Sequence, residues 1–544
     1  MIGILHGYLL DGSGSNLWTQ SMVRTLCRRG ETVHLMCQEP APERFDFVAR
    51  AISYDSELRP TVVFDGETVY PGRCIVHKPD IGAVLPVFVW DSYDEFDQVV
   101  PMIELDDGVI DEYLDRNTRL LRFLVEEHGL TVLHANHTVL MPVVARRILK
   151  EFGVPYTIMP HGSAIEYAVK RDPRFYRMAL DAVRDAGRVF VVGPEMRRRV
   201  LTVFSELPEL EDKLVDLNLG VDSGLFEPLE PAGREKNIEA LRESLEGVER
   251  GKGPDLSLTM RQRLGNDLDR VKLREVLAQA SDYNAKLTDA DCESKLERVD
   301  WENDRVLLFV GRLIASKGVH AVLAALPSIL KREPRARLII VGHGPLREPL
   351  EAMLWALDIG RHELLNNILQ WGSFLEGAPE VEPLDHMVRY LALLKERGEL
   401  DQYLQLASDV HLSDRVIFTG YLTHRELRYL FPCCDVAVFP SIVAEAGPLV
   451  FLEALASGVF PLGIYSAGMR ASIDSVAERL PGEAAELMKL STDPVRTVDD
   501  IVNGVVGALD LGRRHVNDLR RLAVDHYDWD AVGGRFLSTL KLWL

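Results

Sequence analysis

Two glutamates, Glu445 and Glu453, stand eight residues apart in "SIVAEAGPLVFLEALASG", Ser441 to Gly458. The run before them, "DVAVFP", reads as a buried strand, and "PLVFLEALA" reads as an apolar helix. A helix beginning near Gly447 turns its unpaired N–H groups toward negative charge, with Glu445 at its mouth. At about 1.5 Å per residue, Glu453 lies roughly 12 Å further along. That span suits a nucleotide sugar folded over a helix end. Sugar hydroxyls would meet Glu445, phosphates the helix N-terminus, and ribose hydroxyls Glu453, since a carboxylate is a strong acceptor for paired hydroxyls.

Three further stretches carry groups of the right kind. In "FVGRLIASKG" a strand ends at Gly311, and Arg312 and Lys317 follow on the loop into the next helix. Arg grips two phosphate oxygens at once, and Lys supplies a mobile point charge. In "IMPHGSAIEY" His161 follows an apolar strand, where it can meet a sugar hydroxyl or a reacting centre. In "HGYLLDGSGSNLWTQ" Gly12 and Gly14 follow a strand, and Ser15 or Asn16 can cap the helix beyond. Each stretch alone has an ordinary explanation: a solvated basic loop, a structural histidine, a plain strand–helix turn. Together they place anion- and hydroxyl-binding groups at the carboxyl ends of strands, where open α/β sheets hold ligands.

The surrounding chain supplies such sheets twice. "IGILHGYL", "TVHLMCQE", "TVLHAN", "PYTIMPHG" and "RVFVVG" read as strands with helices between them. The same alternation returns in "RVLLFVGRL", "ARLIIVGHGP", "RVIFTGYL", "DVAVFPS" and "FPLGIY". Alternation of this kind predicts parallel sheets covered by helices on both faces. The fold class expected is α/β: two doubly wound Rossmann-like domains facing a cleft, with helical insertions. The first domain is expected over 1–228, with the C-terminal helix at about 525–544 packing back on it, and the second over 305–524. A charged segment, 229–304, has few apolar stripes and reads as exposed helices or a partly mobile linker. A second insertion, about 355–413, reads as helical.

The chain has 544 residues, too many for one core, and a formal charge of −21. That charge argues against a nucleic-acid partner and against docking on an anionic membrane. No apolar run reaches the length of a membrane span. The six cysteines show no CxxC pair and no even spacing, so neither a zinc site nor a disulfide framework is expected. A soluble, cytoplasmic protein is the expectation, with homo-oligomer contacts through the insertions an option.

The combined motifs resemble those of the family 4 glycosyltransferases of the GT-B fold. "EAGPLVFLEALASG" keeps their two glutamates with seven residues between them. "GRLIASKG", "PHG" and "NLGVD" (Asn218 to Asp222) match their Gly-Arg-Leu…Lys-Gly, His-Gly and Asn-Gly-Val-Asp elements. The resemblance implies a retaining, metal-independent transfer from a nucleotide sugar, UDP-sugar favoured, to a soluble acceptor, with no cofactor beyond that co-substrate. It implies that Arg312 and Lys317 bind the donor diphosphate, Glu453 the ribose and Glu445 the transferred sugar. His161 would lie beside the reacting end, and Gly12 and Gly14 would line the facing wall. Gly311, Gly447, Leu449 and Val450 complete the implied donor-binding set. Where the family has Phe-Gly this chain has Gly447-Pro448, and Pro448 has no N–H to offer a sugar. Other activities on the same fold fit the residues too: a sugar phosphorylase, a nucleotide-sugar epimerase, or a non-catalytic scaffold that binds sugar nucleotides. A glycoside hydrolase fits less well, because its carboxylates must face each other across one bond.

Overall fold

The computed structural model describes residues 1–11, 14–88, 96, 98–265, 268–443, 447 and 449–543. The chain divides into two compact units, residues 1–220 with 526–544, and residues 221–525. Among the described residues no helix is long and apolar enough to cross a membrane.

In chain order the strands of unit 1 are β1 (Ile2–Leu5), β2 (Thr32–Met36), β3 (Val48–Tyr54), β4 (Pro60–Asp65), β5 (Arg73–Lys78), β6 (Val84–Val87), β7 (Gln98–Pro101), β8 (Val132–Asn136), β9 (Tyr156–Met159), β10 (Arg188–Val191) and β11 (Leu214–Asp216). Nine of them form one sheet in the order β11-β10-β9-β8-β1-β2-β5-β3-β4, and β6 pairs with β7 separately. The pairing is parallel except between β3 and β4. That hairpin corrects the expectation of a wholly parallel sheet. Its turn is built on Asp55, whose Oδ1 accepts from the backbone N–H groups of Glu57 and Arg59. β4 is largely exposed, so it lacks the apolar run by which a buried strand is found.

Strands β1, β2, β8 and β9 are buried almost throughout, as a sheet covered on both faces requires. Two helices that are remote in sequence cover one face together. Trp18, from helix Gly14–Arg28, stacks edge-on against Phe536, from helix Trp529–Leu540, with ring centroids 5.9 Å apart. Gly533 permits the approach, because a Cβ there would lie 2.4 Å from Thr25.

Unit 2 contains β12 (Arg305–Val310), β13 (Ala336–Val341), β14 (Val416–Gly420), β15 (Val436–Phe439), β16 (Phe460–Ile464) and β17 (Lys489–Leu490). They form a parallel sheet in the order β14-β13-β12-β15-β16-β17. Both sheets are therefore of the doubly wound kind expected from the strand–helix alternation.

The charged segment is helical, one of the two readings of its composition, and part of it is buried. It folds into helices Arg234–Ser244, Pro254–Arg263, Arg270–Ala280 and Cys292–Leu296, which bury Ile238, Leu241, Met260, Leu273, Leu277 and Leu296. Its last stretch reaches the sheet edge: Thr288 bridges Gly420 at the end of β14, and Asp289 N–H donates to Thr419 O at 2.8 Å. Its charges are paired both inside the segment, as Lys295 with Asp289 at 2.7 Å, and outside it. Lys252, buried, is held by Glu348 at 3.0 Å and Glu351 at 2.9 Å. Composition suggested exposure because those partners lie about a hundred residues away. In the second insertion, helices Asp385–Glu396 and Leu400–Asp409 are separated at Gly398, whose φ is +71°.

Candidate functional site

In each sheet the strand order reverses at one point, and there the loops after neighbouring strands diverge and leave a crevice. In unit 2 that point lies between β12 and β15. The loop after β12 carries Gly311, Arg312 and Lys317. The loop after β15 leads into helix Leu449–Ala456. The two loops are fastened together: Ile442 N–H donates to Ser316 O at 2.7 Å. Gly318 has φ +72°, and a Cβ there would stand 2.1 Å from Pro440 O, so glycine is required on both counts. Arg312 is exposed, and Lys317 is half-buried on the short turn Ala315–Lys317. The sequence-predicted cations and the predicted helix thus meet at one crevice.

Glu453 sits inside that helix, 4% exposed. Its Oε1 pairs with His424 Nε2 at 2.9 Å, and the carboxylate raises the His424 pKa above the ordinary imidazole value. Its Oε2 is buried with no hydrogen-bond partner among the described residues. An acceptor in that state is costly unless a ligand or water donates to it. Gly447, Leu449 and Val450 are half-buried at the head of the helix. Glu445, Pro448 and Gly12 lie outside the described residues. His343 and Glu376 also belong to this end of unit 2 and were not singled out by sequence. Burial lowers the His343 pKa, and Arg312 nearby adds to the effect. Glu376 Oε1 accepts from Ala315 N–H at 2.6 Å, and burial raises its pKa.

In unit 1 the order reverses at β1 and β8. The residues at their carboxyl ends form a polar network. His161, at the start of helix Gly162–Ala164, lies 3.1 Å from Asn136 Oδ1 through Nε2. Asn136 Nδ2 lies 2.8 Å from Thr19 Oγ1 and 3.2 Å from His6 Nδ1. His6 Nε2 faces Leu9 O and Asn16 Oδ1, both at 3.0 Å. These partners assign one consistent set of protons: Nε2–H on His161 and on His6, with lone pairs on both Nδ1 atoms. Burial depresses both rings, His161 to about 3 and His6 to about 4, so both are neutral at pH 7.

His137, buried, joins them with its ring 4.8 Å from that of His161, and neither of its ring nitrogens has a partner among the described residues. Its φ of +68° is a strained conformation for a non-glycine residue. Sequence reasoning found His161 but not His6, Asn136 or His137. Their signal was available: each ends or directly follows an apolar strand. Ser15 and Asn16, read as helix caps, lie inside helix Gly14–Arg28, and Asn16 spends its side chain on His6 and Asp11 O. Gly14 is exposed, and a Cβ there would meet open space.

A family model of "Glycosyl transferases group 1" matches residues 293–368 and 390–476, and one of the "Glycosyl transferase 4-like domain" matches residues 13–208. An uncharacterized glycosyltransferase of Methanocaldococcus jannaschii is 25% identical over 244 residues, 44% of this chain and 46% of the relative. The sucrose-phosphate synthase of Thermosynechococcus elongatus superposes over 99% of this chain and 98% of its own, with TM-score 0.51 and 15% identity. HepE of Anabaena, in complex with UDP and glucose, does so over 100% of both chains, with TM-score 0.51 and 13% identity. The fold is GT-B. The matched families and homologues are glycosyltransferases, which are transferase enzymes. The chain spans less than half the length of the curated relatives it matches. The two family matches divide between the two units of this GT-B chain: the 4-like match lies within unit 1, and the group 1 match within unit 2.

Proposed function

We propose that this GT-B chain is a retaining glycosyltransferase that uses a nucleotide-sugar donor, UDP-sugar by preference, and a soluble acceptor. The observation that carries the proposal is the crevice at β12 and β15. There Arg312 and Lys317 stand beside a helix N-terminus, and the buried carboxylate of Glu453 lies farther along the same helix. Arg312 and Lys317 hold the diphosphate and stabilise the charge that develops on it as the sugar leaves, the task that a metal performs elsewhere. Glu453 Oε2 accepts from a ribose hydroxyl, and His424 keeps the carboxylate oriented. Glu445, eight residues before Glu453, is assigned the transferred sugar. In unit 1 His161, neutral and aimed by Asn136, serves a sugar hydroxyl. The binding of UDP by a solved structure of the same fold supports the choice of donor.

Calorimetry with UDP tests the assignment. Arg312→Ala, Lys317→Ala and Glu453→Ala are each expected to weaken UDP by about 1–3 kcal/mol, the range for charge-assisted contacts. Glu445→Ala and His161→Ala should leave UDP affinity nearly intact while lowering turnover of the sugar donor, the mark of groups that act on the sugar. Unchanged UDP affinity in both cation variants would overturn the diphosphate assignment. Transfer is expected to persist in EDTA; loss of transfer that Mg²⁺ restores would show that a metal, not the two side chains, holds the diphosphate.

A further inference from the structure

We propose that His34, His77 and His128 of unit 1 form a binding site for Zn²⁺, apart from the residues assigned to the donor. His34 lies on β2 and His77 on the adjacent β5. His34 pairs in register with Ile75, two residues before His77, so the parallel strands turn both imidazoles to the same face of the sheet. Helix Asp107–His128 delivers the third ring from its last turn, just before Gly129, whose φ of +61° ends the helix.

One nitrogen from each ring lies within 4.8 Å of the others. His34 Nδ1 and His77 Nε2 are 3.0 Å apart, and the His34 and His128 ring centroids are 4.5 Å apart. Zinc bound by imidazoles at about 2.0–2.1 Å in tetrahedral geometry needs nitrogens roughly 3.3 Å apart. Rotations that shift the rings by about 1 Å therefore complete the set.

Three features favour a cation over a plain hydrogen-bonded pair. His77 Nδ1 lies 3.0 Å from Tyr54 Oη, a partner that fixes the ring and leaves Nε2 as the ligand atom, the usual arrangement behind a metal-bound histidine. Proton sharing between His34 and His77 would need no third ring, yet the His128 ring lies tilted against both, its centroid 4.5 Å from that of His34 and 5.7 Å from that of His77. No hydrogen bond holds the His128 ring among the described residues. The end of a helix also carries partial negative charge, which favours a cation there. A set of three imidazoles and no carboxylate selects zinc and its neighbours in the transition series over Mg²⁺ or Ca²⁺. Water would complete the coordination. The ion would tie β2, β5 and the end of the long helix to one point.

The test is titration of the full chain, first freed of metal with EDTA and then dialysed, with ZnCl₂ by calorimetry and with CoCl₂ by visible absorption. One ion per chain is expected. The Co²⁺ spectrum should show tetrahedral d–d bands without thiolate charge transfer, since all six cysteines are buried and none belongs to the cluster. His128→Ala, at a half-buried helix end, should weaken Zn²⁺ by at least about 100-fold, and Tyr54→Phe by about 10–100-fold. His362→Ala, at an exposed site in unit 2, should change nothing. Absence of stoichiometric Zn²⁺ binding to the unaltered chain would overturn the proposal. So would Zn²⁺ affinity unchanged in a folded His128→Ala or His128→Gln protein.

Discussion

Acidification from pH 6.5 to pH 4 is expected to remove most of the stability of residues 1–220 and 526–544. Burial depresses His6 to about 4, His134 and His161 to about 3, and His137 well below the ordinary value. In the unfolded chain each ring titrates near 6.5. Between the two values the unfolded state binds protons that the folded state refuses, so stability falls as pH falls. The contribution is fully present above about pH 6.5 and is lost on the way down to pH 3–4. Each ring can cost up to about 1.4 kcal/mol per pH unit. Half that slope, over four rings and two pH units, is about 6 kcal/mol, comparable with the whole stability of many domains. Unit 2 is less exposed to this effect. His320, His343 and His386 are lowered there, but His424 is raised by Glu453 and acts in the opposite sense. Thermal melts at pH 7, 6, 5 and 4, with hydrogen exchange read separately on the amides of β1, β8 and β12, check this. A melting temperature that is flat down to pH 4.5, or loss of β12 protection before β1, would contradict it.

Arg347→Ala is expected to destabilise unit 2 by about 3–5 kcal/mol, the cost of leaving buried charges without their partner. Arg347 Nη1 donates to Glu351 Oε2 at 2.8 Å and Nη2 to Asp289 Oδ2 at 2.9 Å, and the guanidinium lies 4.0 Å from the Phe418 ring centroid. All three charged side chains are at most 10% exposed. Burial alone would raise the Glu351 pKa, but Arg347 and Lys252 outweigh it and hold the carboxyl below its usual range. Without Arg347 the network keeps Lys252 and Lys295 against Asp289, Glu348 and Glu351, one cation short. Lys252 and Asp289 belong to the charged segment, so the damage extends to the helices that cover β14. Urea unfolding of the variant, followed by far-UV circular dichroism, measures the loss. A change below about 1 kcal/mol would show that water reaches the cluster and screens it.

Unpaired against the sheet, the charged segment would have no reason to fold, and this marks a boundary of sequence reasoning. Its helices bury only a few apolar residues each, and the partners of its buried Lys252 lie about a hundred residues away. Periodicity reports a continuous stripe, whereas here burial comes from many short contacts. The same limit hid the Asp55 hairpin, whose outer strand is exposed, and the histidine cluster, whose members at 34, 77 and 128 show no spacing rule.

The sequence by itself determined the class of the fold and the placing of Arg312, Lys317 and Glu453 on segments that follow β12 and β15. Buried strands write themselves as short apolar runs, and helices between them leave parallel pairing as the outcome. The crevice follows because Arg312, Lys317 and Glu453 belong to segments that directly follow such strands, where local order along the chain already gives the place. Only the tertiary structure decided the neighbours. That His424 holds Glu453, that Asn136 aims His161, and that three remote imidazoles converge are contacts between segments far apart in sequence. Such contacts depend on strand order and register, which are selected by the packing of the whole sheet and leave no mark on any one segment.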